Sequence, residues 1–251
     1  WPVTIDASIE TGRIDVHRLA AAARSILACP DEVQLVVDGV DDIAEGLDDD
    51  RLEMQDRSGR PVFACPADSP LAIAATDRRG ALLTLRSGLG APGSEDRDAT
   101  LTLSGRLEAD GLEECHCCSE IRMRVSLHLD FALLTRGSDP EAAPEAARFR
   151  VPLGAFASRA HDLNRGFLQR SIEHANLCHQ DELRRAIATR TDTRLGEVLG
   201  VQLADLRADG VELQWVDTTG AHHACLDFDT AATSTHELGE LLRDELHSGL
   251  C

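Results

Sequence analysis

The stretch HANLCHQDEL, residues 174–183, places two imidazoles, a thiol and two carboxylates in ten positions. Such side chains ligate transition metals or carry protons. On a helix, His174 and Cys178 lie four residues apart and Asp181 three further on, so the three share one face and could seed a metal site. His179, five residues from His174, is expected to turn away from it, toward the apolar stripe. The competing reading is structural, with His179 a hydrogen-bonded core residue and the others a solvated face. It is the stronger of the two, because no completing ligands from another element can be identified.

Other candidate groups are less well placed. CHCC at 115–118 lacks the paired C-x-x-C spacing of a structural zinc site, and the adjacent Cys117 and Cys118 are awkward as joint ligands, so a loop between strands is expected. GLGAPG at 88–93 matches G-x-G-x-x-G, but it runs into acidic residues and another strand, where a dinucleotide site needs a helix N-terminus. His222 and His223 open a strand and therefore face opposite ways. His247 and Cys251 fall on the last helical turn and the tail. No H-E-x-x-H, G-x-S-x-G or calcium loop occurs.

The whole chain narrows the chemistry further. It has 251 residues, with 25 basic against 44 acidic, a net charge of −19. That balance opposes phosphate backbones and anionic membranes, so neither nucleic acid nor a membrane is an expected partner. There is no Lys and no Tyr, which excludes a lysine Schiff base, a P-loop lysine and a tyrosine acid. Eight cysteines with no charged-then-apolar leader read as reduced thiols in a cytoplasmic protein.

The elements that must position these groups follow from periodicity. Residues 15–30 carry Val16, Leu19, Ala20, Ala23, Ile26 and Leu27 at helical spacing and end at a proline. Strand-length runs occur at 33–38, at 51–56 and 61–65 around the turn RSGR, and at 81–87. Residues 69–80 read as a short helix capped by Ser69 and stopped at Gly80. Residues 99–109 alternate through Leu101, Leu103, Gly105 and Leu107. Residues 120–131 alternate through Ile121, Met123, Val125, Leu127, Leu129 and Phe131, as antiparallel strands with one wet face do. After a Pro-rich acidic loop and a short strand, residues 31–153 make a small antiparallel barrel or curled sheet.

Beyond Ala155 the pattern changes. Residues 165–190 read as one long helix with Leu168, Ile172, Ala175, His179, Leu183 and Ala186 on one face. Strands at 202–207, 211–217 and 222–229 form a meander, and a last helix at 234–246 opens with Ser234 and Glu237 at capping-box spacing. The expected architecture is α+β in two domains: 1–157, an antiparallel split barrel, and 158–251, a helix, three-stranded meander and helix.

HANLCHQDEL resembles, without gaps, the H-x-N-x-D-H-x-D-x-L signature of the small C-terminal domain of split-barrel haem-utilisation proteins. These belong to the pyridoxamine-phosphate-oxidase-like, FMN-binding split-barrel superfamily. The matching positions are His174, Asn176, His179, Asp181 and Leu183; Cys178 stands where the family has Asp. The resemblance implies haem or a related small molecule as ligand, a homodimer, and function in iron or haem homeostasis. It extends to oxidative haem opening, since relatives include haem oxygenases. It implies His247 as the tail histidine that ligates iron, with arginines pairing the propionates. Flavin-binding relatives grip the phosphate of FMN in a segment that corresponds here to residues 86–98, where Ser87 and Leu89 are retained and an acidic loop replaces the His-Thr-x-Asn end. Haem is therefore placed ahead of FMN, with His247, His174, His179, Asn176, Arg86 and Ser87 as candidate cofactor residues. Two other readings stand beside it: a non-catalytic regulatory protein on the same scaffold, and an FMN-dependent oxidoreductase.

Overall fold

The computed structural model describes residues 15–45, 52–90, 96–114, 121–137 and 147–247, the last without its side chain. CHCC at 115–118, the end of GLGAPG and Cys251 lie outside the described residues. The fold is α+β, and the chain divides into two compact units, residues 1–161 and 162–251. No helix among the described residues is long and apolar enough to cross a membrane.

The first unit begins with α1 (Val16–Ala28), whose Asp15 cap accepts the His17 N–H at 2.9 Å and whose Leu19, Ala20, Ala23, Ile26 and Leu27 are buried. Then come β1 (Pro30–Val37), β2 (Met54–Arg57), β3 (Arg60–Cys65), α2 (Pro70–Thr76), β4 (Gly80–Ser87), β5 (Thr100–Glu114), β6 (Ile121–Arg136), β7 (Ala147–Arg150) and the single turn α3 (Leu153–Phe156). The strands form one curled antiparallel half-barrel sheet in the order β1-β4-β5-β6-β3-β2, with β7 also on β6. Its inner face joins α1 and α2 in a core that includes Leu35, Phe63, Leu83, Leu85, Leu101, Leu103, Leu107, Leu127 and Leu134.

Three local details differ from the periodic reading. Ser69 caps α2 as expected, accepting the Ala72 N–H at 3.3 Å, but the helix ends at Thr76 and Gly80 instead opens β4. β5 and β6 run far past the expected ends and pair along their whole length. The register shifts where Ser104 faces Phe131 and Gly105 faces Leu129, so Asp130 is an extra residue. Because a bulge reverses which side chains face inward, Val125 and Leu127 are buried before it but Ala132 and Leu134 after it. A side chain at Gly105 would overlap the His128 carbonyl, so this close approach requires glycine.

The second unit contains α4 (Arg165–Cys178), α5 (Gln180–Arg190), β8 (Val198–Arg207), β9 (Gly210–Asp217), β10 (Gly220–Asp227) and α6 (Thr235–His247). The meander is antiparallel, ordered β10-β9-β8. Leu183, Ile187, Val201, Leu203, Val211, Leu213, Phe228 and Leu238 form its core. The single helix expected over 165–190 is in fact two, broken at His179 (φ −120°, ψ 29°), which ends α4 and begins α5. Asp181 and Glu182 fall in the first turn of α5, where carboxylates favour a helix N-terminus, and the Gln180 side chain donates to the Asn176 carbonyl at 3.0 Å. At α6, Ser234 accepts the Glu237 N–H at 3.1 Å, but the Glu237 carboxylate reaches Thr233 rather than Ser234, accepting from its N–H and hydroxyl, each at 2.7 Å.

Candidate functional site

In the first unit, the turn joining β2 to β3 sets one wall of a groove. Ser58 (φ 52°) and Gly59 (φ 83°) are both left-handed, as a two-residue primed turn requires. Asp56 accepts the Gly59 N–H at 2.6 Å through Oδ1 and binds Arg24 through Oδ2, which lies 3.0 Å from both Nε and Nη2. Arg24 is 1 % exposed, and its Nη1 donates to the carbonyls of Phe156 at 3.1 Å and Ser158 at 3.4 Å. One buried guanidinium thus joins α1, the β2–β3 hairpin and α3, with its charge met by a carboxylate and two carbonyls.

Between that hairpin, β6 and α3 lies a cavity of about 540 Å³. The half-buried Leu129 and Leu153, with the buried Val62 and Phe156, give it an apolar floor, while Arg57, Arg60, Arg124 and His128 stand around it. Glu113 lies 3.5 Å from Arg57 and 3.2 Å from Arg124, and Asp110 is 3.7 Å from Arg124. His128 Nε2 lies 2.7 Å from Glu108. Arg60 is exposed and makes no ion pair with a described residue. The cavity joins an apolar surface to guanidinium groups, a chemistry suited to a ligand with a flat apolar body and anionic substituents.

The residues singled out from sequence are not gathered there. Arg86 is on the exposed side of β4, 2.6 Å from Asp31 and 3.7 Å from Glu32. Ser87 is buried and accepts the Leu89 N–H at 3.3 Å. In the second unit, Asn176 donates to the Leu203 carbonyl at 2.9 Å and accepts the Leu203 N–H at 2.8 Å, tying α4 to β8. His179 does not enter the apolar stripe: the helix break leaves it exposed, with Nε2 3.2 Å from His174 Nε2. The same break puts Asp181 on a different helix from His174 and Cys178, so the expected three-residue face does not form. His247 closes α6, and its side chain lies outside what the structure describes.

Sequence reasoning missed the groove residues. Arg122, Arg124, Ser126 and His128 alternate along β6 as a polar stripe, a readable signal. Arg24 carried none beyond being a charge on the apolar side of a helix, since Asp56 is 32 residues away.

No family model matches the chain, and no curated protein matches it. Among solved structures, it is similar to a heme binding protein from Mycobacterium smegmatis, at 14 % identity and a TM-score of 0.38, over 95 % of this chain and 99 % of that one. It is similar in the same degree to an Agrobacterium tumefaciens protein of unknown function, at 16 % identity and a TM-score of 0.37, over 96 % and 100 % of the two chains.

Proposed function

We propose that the chain binds haem, with the groove of the first unit receiving the macrocycle. The observation that carries this reading is an apolar floor beside Arg60, which makes no ion pair with a described residue, with Arg57 and Arg124 sharing Glu113 along the same cavity of about 540 Å³. Arginines pair carboxylates of the propionate kind through two-pronged hydrogen bonds, and the floor excludes water from an apolar ring. Bound haem would supply iron redox chemistry; the residues described here would bind and orient it. His128 is a poor axial ligand because Glu108 already engages its Nε2. An iron ligand at His247 is what the family resemblance implies, independently of the groove. Cytoplasmic haem or iron homeostasis, pairing of two copies, and oxidative opening of the ring are further parts of this proposal.

The test is a haemin titration of the cofactor-free protein. A saturable Soret shift is expected, weakened at least about tenfold in Arg60→Ala, since a hydrogen bond to a charged group contributes about 1.5–3 kcal/mol. His247→Ala should lose the ligand-field signature. No saturable shift, or one indifferent to the arginine, overturns the reading. Loss of the Soret band on adding a reductant in air would extend it to ring opening.

A second reading, a non-catalytic regulatory protein, is favoured by one observation. Ser87, retained from a phosphate-gripping segment, and Arg86 beside it make contacts within their own chain. This also weighs against a flavin enzyme, which would purify yellow with a band near ~450 nm.

A further inference from the structure

The break at His179 produces an arrangement that a continuous helix forbids. Residues five apart on an α-helix point about 140° away from each other. Here His174 and His179 bring their Nε2 atoms to 3.2 Å, with ring centroids 5.0 Å apart and ring planes at 73°. Rings aimed straight at one another across that gap would hold their centroids farther apart. The two nitrogens therefore meet off the line joining the ring centres, and without an ion a proton on one of them makes the contact an N–H···N hydrogen bond. Two nitrogens 3.2 Å apart can both lie about 2.0–2.1 Å from one ion, subtending roughly 100°, near the tetrahedral angle.

The surroundings suit a cation. Glu182 Oε2 is 3.7 Å from His179 Nδ1, on the far side of the ring from His174. Too distant for a hydrogen bond, this carboxylate favours by its charge a proton on Nδ1 over one on Nε2, which leaves Nε2 its lone pair for an ion. Both imidazoles are exposed, so water can fill the remaining positions. No group of three or more metal-ligating side chains occurs among the described residues, so two histidines are the protein's share.

We propose that His174 and His179 form a two-imidazole site for a late first-row divalent metal ion, copper(II) tightest, then nickel(II) and zinc(II). Imidazole suits all three ions, and the order follows their general affinities for nitrogen ligands. The site stands apart from the groove and does not depend on haem.

Copper(II) titration of the full, untagged, haem-free chain, followed by electron paramagnetic resonance against a weak competing chelator, tests this. One equivalent with nitrogen hyperfine coupling is expected. His174→Ala should abolish that signal, since losing a ligand costs more than the ten- to hundredfold typical of outer-shell changes. His174→Ala leaves the break residue in place, and far-ultraviolet circular dichroism checks that the fold is kept. His179→Ala should act alike, and Cys178→Ser should leave binding unchanged. Unchanged binding in both histidine variants, or loss in Cys178→Ser alone, overturns the proposal.

Discussion

In each unit a polar side chain on a helix grips the backbone of another element, yet the two locks compared, Arg24 and Asn176, differ in kind. In the first, Arg24 is buried and charged, and it requires Asp56 besides the carbonyls of Phe156 and Ser158. In the second, Asn176 is neutral and half-buried, and it meets the Leu203 N–H and carbonyl with an amide that is their chemical equal. A charge joins three elements at once but is costly if any partner is lost. An amide joins only two, at less risk.

The largest expected effect breaks the charged lock. Asp56→Ala should destabilise the first unit by about 3–5 kcal/mol, because it removes a carboxylate that faces a buried guanidinium. Arg24→Met combined with Asp56→Leu should recover much of that loss in chemical denaturation; if it recovers none, the charge pair is worth more than its replacement. Next, Gly105→Ala should cost about 1–3 kcal/mol, since the backbone of β5 must move off the His128 carbonyl. Asn176→Ala should cost about 1–3 kcal/mol in the second unit by leaving the Leu203 groups without their partner. A cost equal to that of Asp56→Ala would erase the distinction between the two locks.

The smallest effects are in pH, and they run oppositely in the two units. Asp217, in the turn between β9 and β10, is held below the usual carboxylate range first by the Thr219 hydroxyl, then by the Thr219 N–H, with His222 adding to both. The folded state thus favours its ionised form, a contribution present above the unfolded value of about 3.9 and lost as the pH falls below it. Cys65, in β3, is pushed up by burial, against a smaller opposing effect of Ser69. Its unfolded thiol ionises near about 8.5 while the folded one stays protonated, so the first unit should weaken as pH rises past that point. Asp217→Asn should flatten the acid limb of a stability profile, and Cys65→Ala the alkaline limb. Both limbs unchanged would show that other groups dominate.

What the sequence made legible was periodic. Leu101, Leu103 and Leu107 announce β5, and Leu19, Ala23, Ile26 and Leu27 announce the buried face of α1. The α+β class and the helices around a three-stranded meander follow from such spacings. What escaped is the effect of one residue on everything after it. Asp130 reverses the inward face of β6, and His179 turns one helix into two. Neither break contains glycine or proline, though Asp181 and Glu182 do mark a helix start. The groove was illegible for another reason: its arginines and floor come from segments far apart in the chain.

Asn176 has one more consequence, for how the second unit meets other chains. Among the described residues β8 pairs only with β9, so one side of it is a row of backbone groups that could accept a further strand. Asn176 occupies both groups of Leu203, and Arg184 donates twice to the Val198 carbonyl, at 2.8 and 3.1 Å. Two helical side chains thereby occupy the β8 edge, so a further strand adds on that side only by displacing them.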